Sequence, residues 1–436
     1  ELGYHRSLLD FALGFGARGL CRISVRFSGG RHGEQHQQHC ATLLQKRFHQ
    51  CFVLIACATQ CGNGRILDTS VPVTDVGRPV DSDVVMPCSG FHIWQPKGIS
   101  MHLRRLIGAA TLGVFTLSTT AMAETWRFGL EEIEGSVQHR YAEQFEKRIE
   151  ERSNGDIDVQ LLPYGKWGSS YSALYDAIQG GAIQIGFASG ALGGTVPESQ
   201  LLNLNYIMPA DQWRTAQALN SDTFLKSDAW QNAFRQWGLV PLAELAEGYQ
   251  VWTANKAIRT PADMENLGIR VMDNTLLRST YRAYGASPTS IAYGELYSAL
   301  QQGQAEGNIQ PVFAHQEMAF YEVQDYMIFA DQSQFVATVI GNSDWYDSLS
   351  DEQRTMVDEV TKSLVKEGHD IQTRFNKERL DIIRDKSDIE IIELTQKERQ
   401  AFEKMAKPVR KTFVKEVGAG GEASMKALLK AIKETK

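Results

Sequence analysis

The stretch Val137-Gln-His-Arg-Tyr-Ala-Glu-Gln-Phe-Glu-Lys-Arg-Ile-Glu-Glu-Arg-Ser-Asn-Gly-Asp-Ile-Asp-Val-Gln-Leu161 decides the fold class. Val137, Tyr141, Phe145 and Ile149 recur at every fourth residue with Glu, Lys and Arg between them, the pattern of a helix that buries one face. Asn154-Gly155 tolerates left-handed backbone and closes that helix. Ile157, Val159 and Leu161 then alternate with polar residues, the period of a strand. A helix stopped by two residues and followed at once by a strand is an α/β signature. The same grammar continues on both sides, with Trp126-Arg-Phe-Gly as a preceding strand, Ser170–Gln179 as a helix ended by Gly180-Gly181, and Ile183–Phe187 as the next strand.

The pattern restarts after Leu242. Gln250-Val-Trp-Thr reads as a strand, Thr260-Pro261 caps a short helix, and Gly268–Met272 reads as another strand. One helix follows with Leu277, Tyr281 and Tyr284, and another with Leu296 and Leu300 before Gly303. Two α/β units in succession predict two lobes with a ligand cleft between them. Further on, Ser350-Asp-Glu-Gln353 is a capping box that opens a long helix carrying Met356, Val360, Leu364, Ile371 and Phe375 to about Lys386. At ~1.5 Å per residue it spans on the order of 50 Å, enough to brace both lobes. Thr395 and Glu398 form a second capping box, opening a helix through Met405.

The chain changes composition sharply near residue 123. All six cysteines lie between Cys21 and Cys88, and the net charge of −7 hides an uneven split. Residues 1–123 carry 12 Lys/Arg against 7 Asp/Glu, whereas 124–436 carry 33 against 45. Met101-His-Leu-Arg-Arg105, the apolar run Leu106–Leu117 and Ala121-Met-Ala123 have the layout of a secretory signal peptide, so 101–123 is expected to be removed and the mature chain to begin at Glu124. Residues 1–100 lack sustained periodicity and precede a signal that works only at an N-terminus. They read as non-native upstream translation without structure; a small metal or disulfide domain on Cys51, Cys57, Cys61 and the histidines of 31–40 is the alternative. A cysteine-free, acidic mature chain suits an extracytoplasmic protein stabilised by its core, and argues against nucleic acid as a partner.

Three blocks carry a resemblance: Glu150–Gly165 followed by Trp167-Gly168; Thr260-Pro-Ala-Asp-Met-Glu-Asn-Leu-Gly-Ile-Arg-Val271; and Tyr284-Gly-Ala-Ser-Pro-Thr with Gly294-Glu-Leu-Tyr-Ser-Ala-Leu-Gln-Gln-Gly303 and Glu306-Gly307. Over essentially all of 124–436 the chain resembles the DctP-type solute receptors of TRAP transporters, and the first-strand region Trp126–Gln138 looks most like their ectoine-binding branch. The resemblance implies an α/β fold, a two-lobed periplasmic-binding-protein clamshell with mixed sheets and a long helix spanning both lobes. The lobes are expected at 124–249 with about 337–378, and at 250–336 with about 379–436. It further implies a monomer that delivers a small organic anion or zwitterion to a small and a large integral-membrane subunit, with no cofactor and no metal.

Site residues follow from the same resemblance. Arg270 matches the family arginine that grips the ligand carboxylate, and a planar guanidinium with paired donors suits that role. Where many members carry another arginine, this chain has Gln250. Glu132 matches the acidic residue that meets the ring cation in the ectoine branch, with Glu131 and Glu134 as its neighbours. Gln310 replaces a family Asn, with Asn308 a possible substitute. Tyr293 and Ala314 stand where the ectoine branch has tryptophans, and Leu192 near another of its aromatic positions. Tyr293, Phe313, Phe335 and Trp167 are left as candidate walls, and these departures point away from ectoine itself.

An enzyme is disfavoured: no glycine-rich phosphate loop, nucleophile elbow or His-Glu-x-x-His motif is present, and His139, His315 and His369 are scattered, with His315 placed near the cleft. A sensor of the same fold, presenting its ligand to a histidine kinase, stays open beside the transporter reading.

Overall fold

The computed structural model describes residues 11–15, 21–25, 123–168 and 170–435. The expected signal peptide and the alternative cysteine–histidine domain therefore fall outside the described residues. Residues 1–115 form a unit of their own, in which β1 (Phe11–Phe15) pairs antiparallel with β2 (Cys21–Val25). No element was expected there, because Phe-Ala-Leu-Gly-Phe is an apolar run too short to show a period.

In the second unit the strands are β3 (Glu124–Gly129), β4 (Ile157–Leu162), β5 (Ile185–Ala188), β6 (Leu239–Ala254), β7 (Gly268–Val271), β8 (Ser287–Ser290), β9 (Gly307–Pro311), β10 (Tyr326–Phe329), β11 (Gln334–Asn342) and β12 (Glu390–Glu393). One lobe holds the order β4-β3-β5-β11-β6 and the other β6-β9-β7-β8, with β10 beside β6 and β12 beside β10. Both sheets are mixed: β3 is parallel to β4 and β5, whereas β11 runs antiparallel to β5 and β6. In the second lobe β7 is parallel to β8 and β9, and β9 is antiparallel to β6. This is the two-lobed clamshell, and β6 belongs to both halves. Its 16 residues pair with β11 up to Tyr249 and with β9 from Gln250 onward.

The opening stretch folds as its periodicity requires. Val137–Arg152 is a helix capped by Ser136, and Val137, Tyr141, Phe145 and Ile149 are all buried. Its stop is formed by Asn154 (φ 55°) and Gly155 (φ 81°). The apolar face meets β3 and β5 through Phe128, whose ring lies 5.3 Å from both Phe145 and Phe187. Each such ring, removed to alanine, costs about 3–5 kcal/mol.

Both C-terminal capping boxes form, at Ser350/Gln353 and Thr395/Glu398, and the long helix runs Asp351–Lys386. It touches the helix Val137–Arg152 of one lobe, where Arg148 donates to Ser363 Oγ at 2.7 Å, and the helix Val312–Glu317 of the other. Asn376 ties it to both: Nδ2 donates to Glu247 O at 2.9 Å and Oδ1 accepts from Phe313 N at 3.2 Å. The terminal helix Ala419–Glu434 was expected with the second lobe. It lies instead against Gln212–Leu219 and Asp228–Arg235 of the first, with Arg214 donating to Ile432 O at 2.9 Å and Thr435 O at 3.0 Å. Its buried Leu428 and Ala431 complete the core there, a pairing that sequence separation conceals.

Gly248 is the residue that lets the long helix approach β6. It has φ 104°, and a Cβ there would stand 2.5 Å from Asn376 Nδ2 and 2.9 Å from Gln372 Oε1. Gly248→Ala is expected to lower unfolding stability by about 2 kcal/mol, combining left-handed strain with a displaced Asn376. Urea titration checks this, and a loss under about 0.5 kcal/mol would show that helix and strand do not depend on this contact.

Candidate functional site

The cleft is lined where strands of the two sheets end. Arg270 stands near the C-terminal end of β7, between its parallel neighbours β8 and β9, the end at which open α/β sheets place ligands. The side chain is 2% exposed. Its Nε donates to Ile291 O at 3.0 Å, while Nη1 is buried with no hydrogen-bond partner in the described chain. Burial pulls its pKa below the usual value, partly countered by Tyr171 and Tyr293, yet a guanidinium stays charged at any relevant pH. A buried, incompletely paired cation costs several kcal/mol, and an anion placed against it relieves that cost.

Arg270 lines an outer chamber of about 590 Å³ with Tyr164, Tyr171, Tyr293, Asn274, Arg278 and Ser290 among its walls. Tyr171 and Tyr293 face each other at 6.4 Å between ring centroids, tilted by 33°. Behind them is an inner chamber of about 10 Å³, the room of a single water. Tyr171, Met272 and Tyr293 belong to both chambers, so the inner one is the deep end of one site.

The inner walls are acidic. Glu131 and Glu132 lie in the turn that leaves β3, just before Ser136 caps the next helix. Glu131 Oε1 accepts from Ser189 N at 3.0 Å and from the Tyr175 hydroxyl, and its Oε2 is buried without a partner. Glu132 Oε2 accepts from Gln138 N at 3.0 Å, and Gln138 Nε2 donates to Glu247 Oε1 at 3.2 Å. Burial pushes Glu131 up to about 7 against the pull of the Tyr175 and Ser189 donors. Burial likewise raises Glu132, and it raises Glu247 well above the carboxylate range with Glu132 adding to the effect. Glu317, beside Glu132, is raised to about 8 by burial, with Arg379 Nε 3.9 Å from it as a partial offset.

The structure brings together half of the residues expected at the site. Arg270 and Tyr293 line the outer chamber, and Glu132, Gln310, Tyr293 and Phe335 line the inner one, as does Ala314. Five expected residues line neither chamber. Asn308 sits two residues, about 7 Å, further back along β9 than Gln310, with Nδ2 donating to Thr253 Oγ1 at 2.9 Å. Gln250 is buried where β6 changes partners, its amide 3.4 Å from Ser333 Oγ. Leu192 and Phe313 are core residues with no exposed surface, because their short helices turn those side chains inward. Trp167 is anchored by Nε1–H to Leu130 O at 2.8 Å and supports Tyr164 edge-on at 5.8 Å. His315 is likewise buried away from both chambers, its pKa lowered to about 4 by burial.

Reading the sequence missed Tyr171, Gln138 and Glu247. Only Glu247 left a signal, as one of two glutamates in the apolar run Leu242-Ala-Glu-Leu-Ala-Glu247. Among the described residues no group of His, Cys, Asp or Glu is arranged to hold a metal ion, and no helix is long and apolar enough to cross a membrane.

Comparison with known proteins agrees with this geometry. The model of the bacterial extracellular solute-binding protein family 7, DctP, matches residues 128–416. The chain is 32% identical over 314 residues to the ectoine/5-hydroxyectoine-binding periplasmic protein UehA of Ruegeria pomeroyi, covering 71% of this chain and 91% of that one. It is 30% identical over 339 residues to the ectoine-binding periplasmic protein TeaA of Halomonas elongata, covering 76% and 98% respectively. An apo, open TRAP periplasmic solute-binding protein from Marinobacter aquaeolei superposes with a TM-score of 0.66 at 38% identity, covering 70% of this chain and 99% of that one. The match thus takes in nearly the whole of each relative. The chain belongs to the DctP family of bacterial extracellular solute-binding proteins, and it is a binding protein of the TRAP class, not an enzyme.

Proposed function

We propose that this protein is the extracytoplasmic receptor of a TRAP uptake system, exported through the signal at 101–123. It takes a small organic carboxylate or zwitterion into the interlobe cleft and passes it to a small and a large integral-membrane subunit, acting as a monomer. The observation that carries this reading is Arg270. Arg270 lines a ligand-sized chamber, its buried Nη1 has no hydrogen-bond partner among the described residues, and one carboxylate oxygen would satisfy it. Closure of the lobes around the bound ligand, by bending at β6 and sliding along the long helix, is the motion this architecture offers.

The tyrosine pair gives the ligand's body two ring faces, which favour aliphatic and cationic groups. Two relatives are named for ectoine, a cyclic zwitterion, which supports the zwitterion half of the proposal. Tyr293 and Ala314 nevertheless leave a less aromatic enclosure than paired tryptophans would, so the ligand need not be ectoine.

A calorimetric screen of small carboxylates and zwitterions tests the proposal. For whichever compound binds, Arg270→Ala is expected to weaken binding by at least 100-fold, about 3 kcal/mol, and Arg270→Lys by less. Affinity within threefold of wild type in Arg270→Ala would remove Arg270 from the site. When expressed from Met101, the chain is expected to reach the periplasm and be cut after Ala123. Intact-mass measurement of a periplasmic extract should then return a chain that begins at Glu124; a mature start elsewhere, or retention in the cytoplasm, would contradict the export reading.

A further inference from the structure

The first turn of the helix Thr275–Ala283 is completed from across the cleft. A helix leaves its first backbone N–H groups unmet, and here the N-cap Asn274 accepts from Leu277 N at 2.9 Å. The N–H of Leu276 is met by Gln200 Oε1 at 3.1 Å, and the same oxygen accepts from Thr275 Oγ1 at 2.8 Å. Gln200 is buried in the short helix Pro197–Asn203 of the first lobe, whereas Thr275–Ala283 follows β7 in the second. Two more bonds cross the same edge. Asn274 Nδ2 donates to Gly190 O at 2.7 Å, and Asn205 Nδ2 donates to the Tyr284 hydroxyl at 2.9 Å. Leu276 is 1% exposed and belongs to the apolar cluster that holds Leu201 and Leu204 of the first lobe.

This seam borders the site. Gly193, Gly194, Asn274 and Thr275 line the outer chamber, while Gln200 lines neither chamber. The fit is close: a Cβ at Gly193 would stand 2.4 Å from Gln200 Cγ and 3.0 Å from Asn274 Nδ2. Bonds between side chains and a helix end can be exchanged for water when two lobes part, so each such bond made on closure favours the closed form.

Resting on the interlobe-cleft reading, and not on which group Arg270 holds, we infer that Gln200 is a positioning residue that latches the two lobes shut before a ligand arrives. It does so by capping, from the first lobe, the helix that follows β7 in the second. The closed form is then populated in the empty protein, and that population scales the affinity of every ligand that needs both lobes. Gln200 lies outside the chambers, so its contribution is the same factor for ligands of different chemistry.

Pulsed dipolar electron-spin resonance on the ligand-free full chain tests this. Nitroxides carried on unnatural side chains replace Asp176 and Gln302, exposed positions on the first and second lobe, so the six native cysteines play no part in the labelling. The wild type is expected to show a short distance matching this structure beside a longer one. In Gln200→Ala the ratio of short to long should fall about tenfold, the effect of two lost hydrogen bonds. Gly193→Leu, which drives a side chain between Gln200 and Asn274, should open the lobes as well. An unchanged ratio in Gln200→Ala while Gly193→Leu opens would overturn the inference alone, as would a wild type with only the long distance. One fixed distance in all three proteins would contradict the interlobe-cleft reading itself.

Discussion

Strand β6 is the constraint on which the rest of the molecule depends. It is almost wholly buried over 16 residues, so its backbone donors and acceptors must be met within the protein, by neighbouring strands and by side chains such as Asn376 on Glu247 O. The pairing with β11 fixes one sheet and the pairing with β9 fixes the other, and the change at Tyr249–Gln250 places the two lobes on one continuous chain segment. The long helix then packs where Gly248 leaves room, and Asn376 joins it to β6 and to the second lobe. A strand buried on both faces has little freedom to slip in register, because a shift of one residue would exchange Glu244 and Glu247 with their apolar neighbours.

That same strand sets the electrostatics of the cleft. Glu244 has both carboxyl oxygens met, by Trp230 Nε1 at 2.9 Å and Thr338 Oγ1 at 2.8 Å, and burial pushes its pKa up to about 8, consistent with a structural, largely protonated acid. Glu247, three residues on, has one oxygen unmatched and points toward Gln138 and Glu132. The cleft thus places the buried Arg270 in its outer chamber and the carboxyls of Glu131 and Glu132 in its inner one.

Much of the architecture was legible in the sequence because it is encoded locally. Capping boxes at Ser350 and Thr395, the four-residue spacing from Val137 to Ile149 and the Asn154-Gly155 stop each rest on contacts within a few residues. β6 was read only in part: a doubly buried strand shows no alternation, and Gly248 interrupts it. The terminal helix was assigned to the wrong lobe since its partners at Gln212–Leu219 lie some two hundred residues away in sequence. At the site, resemblance located Arg270, Glu132, Gln310 and Tyr293. It could not tell which aromatic side chains turn into the cleft and which, like Phe313, turn into the core. Nor could it bring Gln138 and Glu247 to Glu132, since that proximity is a tertiary property.

The central claim is that the ligand's carboxylate completes the hydrogen bonding of Arg270. A crystal structure of the protein with its bound ligand measures this directly. The account requires a carboxylate oxygen about 2.7–2.9 Å from Arg270 Nη1, with the Nε contact to Ile291 kept. A ligand seated in the cleft with its carboxylate on other donors, and Arg270 Nη1 still unmet, would contradict it.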